Sequence, residues 1–81
     1  MNNIKYIKLR KVLFNGQGIS EFKRIIELKD NSPVNPKEIK DLTNEEKSLI
    51  GKSIEEREET DYYLKNKKGD IIGIIISTPI E

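Results

Sequence analysis

Residues 61–76 have the sequence DYYLKNKKGDIIGIII, which is typical of a β-hairpin. Tyrosine and isoleucine favour strands, and the polar residues between the two apolar runs favour a turn in which Gly69 takes the left-handed position. We therefore predict strands over residues 61–65 and 70–76, with Pro79 ending the second strand.

The second strand of this hairpin is apolar on both faces. Successive strand residues point to opposite faces, so Ile72, Ile74 and Ile76 share one face while Ile71 and Ile75 share the other. Such a strand needs a cover on both faces, and a chain of 81 residues has enough helix for about one. Two alternatives stay open: loops and the N-terminal segment cover the second face, or one sheet face, or the sheet edge, docks onto a second copy or another protein.

The N-terminal half begins with a further strand. Residues 4–14 alternate apolar and basic side chains, with a bulge or bend expected near residues 12–14, and Asn15-Gly16-Gln17-Gly18 forms a turn. Residues 19–30 fit two alternatives. Their apolar residues recur at helical spacing, which favours a helix closed by Asn31, whereas the preceding Asn-Gly favours a β-hairpin. We expect the helix, because long polar helix formers fill the gaps.

The middle of the chain predicts two surface helices. After a loop, Asn35 is expected to cap a short helix that begins at Pro36 and carries Ile39 and Leu42. Thr43 and Glu46 then have the spacing of a capping box, which starts a second helix that runs to about Glu59. The narrow apolar face of this second helix consists of Leu49, Ile50 and Ile54.

Together these elements predict a single α+β domain over residues 1–81. We expect an antiparallel sheet of about three strands, made of the N-terminal strand and the C-terminal hairpin, with one or two helices packed on one face. The alternative is the chain order hairpin, helix, hairpin.

The composition excludes several kinds of chemistry. The chain has no His, Cys or Trp, so it offers no disulfide framework, zinc finger, thiol nucleophile or imidazole base. It has neither the run of about 20 apolar residues that a membrane span needs nor the pattern of a secretory signal. We expect a soluble, cytoplasmic, non-enzymatic protein with no cofactor. The abundance of Lys, Ile and Asn, with no Ala, is typical of a low-GC bacterium, its phage or a mobile element.

Charge is segregated along the chain. Residues 1–14 carry a net charge of +4 and residues 37–61 a net charge of −4, although the whole chain has a net charge of +1. The acidic segment favours a surface that meets a basic protein partner. The basic residues favour contact with nucleic acid, and they lie at the start of the chain (Lys5, Lys8, Arg10, Lys11) and at the hairpin tip (Lys65, Lys67, Lys68).

Three glutamates of the second predicted helix share one face, namely Glu55, Glu58 and Glu59. A hard cation such as Mg²⁺ prefers carboxylate oxygens. A solvated helix face, partly paired with Lys52 and Arg57, accounts for the same residues, and the sequence supplies no matched ligand set around them. We therefore expect no metal.

The segment Asn15-Gly16-Gln17-Gly18-Ile19-Ser20 lies between the predicted strand and the predicted helix, where backbone amides can hold a phosphate. It resembles the pyrophosphate loop of GNAT-type N-acetyltransferases, whose pattern is Gln/Arg-x-x-Gly-x-Gly/Ala. Gly18 matches the central glycine, whereas Asn15 replaces the leading Gln/Arg and Ser20 the final Gly/Ala. The resemblance implies a reduced acyl-CoA-binding domain, while a turn that needs glycine explains the same residues.

These patterns favour a small protein-binding module that docks on a larger protein or complex and modulates or inhibits it. Adjacent strand residues face opposite ways, so one of Tyr62 and Tyr63 is expected in the core and the other on the surface. The residues expected to contact the partner are Tyr62, Tyr63, Lys67 and Lys68 on the hairpin, and Glu55, Glu56 and Glu59 on the helix. The alternatives are a nucleic-acid-binding protein, an acyl-CoA-binding domain of GNAT type, and a homodimer formed through the C-terminal strand.

Overall fold

A computed structural model describes residues 4–16, 18–29, 32–33 and 41–81 of the chain. The elements are β1 (Tyr6–Asn15), β2 (Gly18–Lys29), β3 (Ser32–Pro33), α1 (Asn44–Glu56), β4 (Thr60–Lys65) and β5 (Ile71–Ile80). The strands form one antiparallel sheet in the order β3-β2-β1-β5-β4, in which β3 contributes only two residues. The α+β class is therefore confirmed, in the alternative order hairpin, helix, hairpin.

The prediction of a helix over residues 19–30 is wrong. Asn15 pairs with Gly18, and the pairing continues without interruption to Tyr6 and Glu27, so β1 and β2 form a long hairpin. Gly18 has a φ of 146°, which glycine reaches most easily. The hairpin signal prevailed over the helical spacing because β1 supplies a partner for the backbone along the strand, and Ile26 is buried opposite Ile7.

Two finer expectations about the strands are also wrong. The register is continuous through residues 12–14, and the irregularity lies instead between Leu64 and Lys65. Pro79 does not end β5, since it pairs with Ile7 of β1. The pairing with β4 reaches only Ser77, so among the described strands Pro79 lies beside β1 alone.

The expected capping box at the start of α1 is confirmed. The Glu46 amide donates to the Thr43 hydroxyl at 3.1 Å, and the Thr43 amide donates to the Glu46 carboxylate at 3.2 Å. The helix ends at Glu56, before the expected Glu59, because Arg57 adopts a left-handed conformation with φ 57°. The expected short helix from Pro36, with its cap at Asn35, lies outside the described residues apart from its end. Asn31, which was expected to close the helix over residues 19–30, also lies outside them.

Strand β5 lies between β1 and β4, and α1 packs on one of its faces. The hydroxyls of Ser53 on α1 and Ser77 on β5 are hydrogen-bonded at 2.7 Å, and both residues are completely buried. Thr60 adds a second link, since its hydroxyl donates to the Leu49 carbonyl at 3.2 Å. The buried apolar residues on this side are Ile4, Ile7, Leu9, Ile26, Leu42, Leu49, Ile50 and Ile75.

Gly73 allows β5 to approach β1 closely. A Cβ atom at this position would lie 2.7 Å from the Val12 carbonyl oxygen and 3.0 Å from the Leu13 side chain. Any side chain larger than hydrogen therefore requires the two strands to move apart.

We predict that Gly73→Ala destabilises the fold by about 1–3 kcal/mol, because the added methyl group overlaps the backbone of β1. Gly51→Ala is the matched control, since Gly51 lies inside α1 with open space around its Cβ position. That control should stabilise the protein by about 0.5–1 kcal/mol through helix propensity. Urea denaturation measures both free energies of unfolding, and equal effects of the two substitutions would contradict the close approach at Gly73.

A candidate docking surface on the open face of the sheet

The face of the sheet opposite α1 has no described element packed on it. We call it the open face. Strand alternation places on it the even-numbered residues of β1 and β5, the odd-numbered residues of β2, and Asp61 and Tyr63 of β4. The sequence left open whether both faces of β5 are covered. Among the described residues, α1 covers only the face that contains Ile75.

The centre of the open face is apolar. Tyr63 lies opposite Ile74, and Ile74 lies opposite Val12 on the next strand. Ile76 pairs with Arg10 in the neighbouring row. The aliphatic members of this group are half-buried by one another, whereas the Tyr63 ring is 52% exposed. A flat apolar surface with an exposed aromatic ring is therefore available to a partner.

The apolar surface extends to both ends of the sheet. Near the β1–β2 turn, Phe14 pairs with Ile19, whose side chain is 71% exposed. At the opposite end, Tyr6 and Ile25 are also exposed. Exposed apolar side chains that adjoin one another along a face, rather than lying singly, are typical of interaction surfaces.

The charged residues of the open face carry both signs. The basic residues Lys8, Arg10 and Lys23 alternate with acidic residues of β2 and with Asp61. The Arg10 Nε atom donates to the Glu21 carboxylate at 2.8 Å across the hairpin. This hydrogen bond from Arg10 lowers the pKa of Glu21 below its usual 4.5, and the positive charges of Arg10, Lys23 and Lys8 add to the effect.

Tyr62 and Tyr63 lie on opposite faces of β4, as expected. Neither lies in the core, so the expectation that one of the rings is buried is wrong. The reason is that β4 is an edge strand: Tyr63 faces away from α1, and Tyr62 lies at the border of α1. Tyr63 lies on the open face, whereas Tyr62 borders a groove of about 320 Å³ between β4 and the exposed side of α1, near Ser48 and Lys52.

The lysines of the hairpin tip, Lys67 and Lys68, are exposed in a turn that is closed by its own hydrogen bonds. The Asn66 side-chain oxygen accepts from the amides of Lys68 at 2.9 Å and Asp70 at 3.0 Å. Gly69 has a φ of 88°, which confirms its predicted left-handed position. The tip is thus fixed by Asn66 and Gly69, and the lysine side chains are free for contacts.

The predicted glutamates lie at the other end of β4. Glu55 and Glu56 are exposed in the last turn of α1. Glu59 follows the helix, and its carboxylate accepts from the Thr78 hydroxyl at 2.9 Å, which places it at the border of the open face. The glutamates and the tip lysines are therefore separated by the length of β4 and do not form one site. No group of carboxylates in the described segments is arranged to hold a metal ion.

The structure changes the two alternative sites, which are the loop that resembles an acyl-CoA loop and the basic start of the chain. Gly18 begins a strand, so the loop that resembles an acyl-CoA loop has no helix N-terminus behind it. The basic start of the chain is divided, since Lys8 and Arg10 lie on the open face and Lys11 on the other. Gln17 lies outside the described residues.

Sequence reasoning missed the contribution of β2 to the open face, namely Ile19 and Ile25. In the helical interpretation these residues lie on the same buried stripe as Phe22 and Ile26. The signal that could have found them is the dipeptide Asn15-Gly16, which places the residues after it in a strand.

Comparison of the chain with protein-family models, with curated proteins and with solved structures gives no match in any of the three. Within the segments that the structure describes, no helix has the length and apolar character needed to cross a membrane.

We predict that Arg10→Gln raises the pKa of Glu21 towards 4.5, because the hydrogen bond that favours the carboxylate is removed. Since folding lowers this pKa, the Arg10–Glu21 pair stabilises the fold above the pKa of the unfolded chain and loses its effect as the pH falls through the folded value. An NMR titration of the Glu21 side chain measures the change. Lys23→Gln is the control and should shift this pKa less than Arg10→Gln does.

Proposed function

We propose that the protein is a small non-enzymatic binding module that docks on a larger protein through the open face of its sheet and modulates that protein. The observation that supports this function is the row of Tyr63, Ile74 and Val12, with Ile76 in the neighbouring row, on a face without a described cover. A well-formed apolar sheet face is costly to leave in water, and burial recovers about 25 cal/mol per Å² of apolar surface.

The charge pattern of the open face favours a protein partner over a nucleic acid. A nucleic-acid surface carries a continuous positive charge, since it must neutralise phosphates. Here Glu21 is hydrogen-bonded to Arg10, and Glu27 and Asp61 lie on the same face as Lys8 and Arg10. Mixed charges around an apolar centre are typical of protein interfaces, in which the polar rim sets orientation.

Tyr63 is the residue that we expect to anchor the partner. Its ring projects from the edge strand beside Ile74 and retains 52% of its exposure, so a partner can bury it against an already ordered apolar surface. Tyrosine is enriched among the residues that dominate interface energies, because its large ring loses little conformational entropy on burial.

The glutamates at the end of α1 supply an acidic border to this surface. Glu59 is held next to the open face by Thr78, and Glu55 and Glu56 continue the acidic surface along the helix. A basic region on the partner would meet this border and accelerate association. The tip lysines, Lys67 and Lys68, lie at the opposite end of β4 and would contact a separate region of a large partner.

The experiment that tests this function is site-specific photo-crosslinking in the cells that express the protein. The photoreactive amino acid p-benzoylphenylalanine replaces Tyr63 in one variant and Tyr62 in the other. The two positions are adjacent, similarly exposed and on opposite faces of one strand. We expect a discrete covalent adduct with one larger protein from position 63 and little from position 62, and mass spectrometry identifies the partner.

A quantitative measurement follows with the identified partner. We expect Tyr63→Ala to weaken binding by about tenfold or more, in line with the ~2 kcal/mol that an anchoring aromatic residue contributes. Tyr62→Ala is the matched control and should bind as the unchanged protein does. Adducts of equal yield from both positions, or an unchanged Kd for Tyr63→Ala, would show that the open face is not the docking surface.

Nucleic-acid binding is the second candidate, and one observation favours it. The aromatic residues Tyr6 and Phe14 flank Lys8 and Arg10 on the open face, and aromatic rings with basic neighbours can stack bases while contacting phosphates. Fluorescence anisotropy with a single-stranded oligonucleotide at low salt tests it. Binding that is strongly salt-dependent and lost in the double variant Lys8→Gln, Arg10→Gln would replace the protein-binding proposal.

A further inference from the structure

Strand β2 has a long outer edge without a partner strand in the described part of the chain. Its inner edge pairs with β1 from Gly18 to Glu27, whereas its outer edge pairs with β3 only at Leu28 and Lys29. An unpaired edge of this length is a template for another strand. The side chains along it include exposed apolar residues, with Ile19 71% and Phe22 58% exposed.

The direction of the free backbone groups on β2 follows from one hydrogen bond. The Leu28 amide donates to the Lys5 carbonyl of the neighbouring chain segment at 2.9 Å. Backbone groups alternate between the two edges of an antiparallel strand, so even-numbered residues of β2 bond towards β1. The amides and carbonyls of its odd-numbered residues, including Glu21 and Lys23, therefore point outward.

We propose that two copies of this chain dimerise by antiparallel pairing of their β2 edges, with Phe22 opposite Phe22 on the two-fold axis. An axis perpendicular to the sheet keeps α1 of both copies on the same side and pairs residues of equal parity. The inference does not depend on the proposed function, because it uses the edge of the sheet rather than its open face.

Charge complementarity selects this register. With Phe22 on the axis, Glu21 lies opposite Lys23 of the second copy and Ile19 lies opposite Ile25, and each pair occurs twice by symmetry. Shifting the axis by one residue in either direction places Glu21 opposite Glu21 or Lys23 opposite Lys23. Like charges directly opposite each other are destabilising, so both neighbouring registers are disfavoured.

The register is also compatible with the contacts already present. It uses residues 18–26 of each copy and leaves Leu28 and Lys29 paired with β3. Even-numbered residues bond inward, so the Phe22–Phe22 pair is of the non-hydrogen-bonded type, in which side chains approach most closely. Two half-exposed rings would then cover each other at the centre of the interface.

The resulting dimer has one continuous sheet that runs through both copies. The open faces of both copies adjoin on one side, and the two α1 helices lie on the other. A dimer therefore presents the apolar surface twice, related by the two-fold axis, and would bind a symmetric or elongated partner with higher avidity than a single copy.

Disulfide trapping tests the position of the axis, because the chain has no cysteine of its own. Phe22→Cys places two thiols directly opposite each other, at the Cα separation of about 4.5 Å that a disulfide tolerates. Ile25→Cys is the matched control, exposed on the same strand. In this register its symmetry mate lies six residues away, about 20 Å at ~3.3 Å per residue.

We expect mild oxidation of dilute protein to convert most of the Phe22→Cys variant to a covalent dimer, and at least about tenfold less of the Ile25→Cys variant. Non-reducing gels and intact mass measure the yield. Equal yields from both variants, or no covalent dimer from Phe22→Cys, would overturn the proposed register.

Charge exchange tests the interface without a covalent bond. The unchanged protein should have twice the chain mass of 9.4 kDa in light scattering. Lys23→Glu and Glu21→Lys each place like charges opposite each other, so each variant alone should be monomeric, while an equimolar mixture should form a heterodimer. A monomeric unchanged protein would overturn the proposal. So would a dimer that tolerates both substitutions but is lost in Ile76→Glu, since that dimer would form through the open face.

Discussion

The structure depends on the position of β5, which has strands on both of its edges and apolar side chains on both of its faces. Among the described residues, a helix covers only one of these faces. Its central place follows from its pairing with β1 along almost its whole length and with β4 as far as Ser77. A strand with these properties must be covered twice, and α1 with its neighbouring residues provides the cover for the side that contains Ile75. The apolar surface that remains is the origin of the docking proposal.

The helix is fixed to the sheet by polar links as well as by apolar packing. Ser53 and Ser77 hydrogen-bond to each other in a completely buried position, and Ser53 also donates to the Ile50 carbonyl. A buried hydroxyl pair of this kind is satisfied in only one arrangement, so it fixes where the helix lies as well as how strongly it is held. The helix consequently covers the middle of one face and leaves the side chains of the edge strands, among them Phe22 and Tyr62, exposed.

The sequence predicts an element of this fold where its local signals agree and where its environment does not depend on distant strands. The C-terminal hairpin and the capping box at Thr43 were predicted correctly, because the residues that form them are close in sequence. Residues 19–30 were predicted as a helix because two local signals disagree there: the apolar residues recur at helical spacing, whereas Asn15-Gly16 favours the hairpin with β1 that the structure contains.

The candidate site shows the same limit. The alternation of Ile72, Ile74 and Ile76 with Ile75 was visible in the sequence, and so was the shortage of helix to cover both faces. The exposure of both tyrosines was not predictable, because it depends on β4 being at the edge of the sheet. Pro79 was expected to end β5 because proline cannot donate to a strand ladder, whereas among the described strands β1 alone lies beside it.

Because β1 pairs with β5, the sheet cannot be completed until residues 71–80 are available. Tyr6 pairs with Ile80, so the sheet is completed by residues far apart in sequence, and such pairings make folding slow. During synthesis the first hairpin and α1 emerge before the strand on which both of them pack. Until β5 is synthesised, Ile7 and Leu9 lack the packing that buries them in the folded protein, and β1 has a free edge. The nascent chain therefore exposes apolar side chains and an unpaired strand, as the substrates of chaperones do.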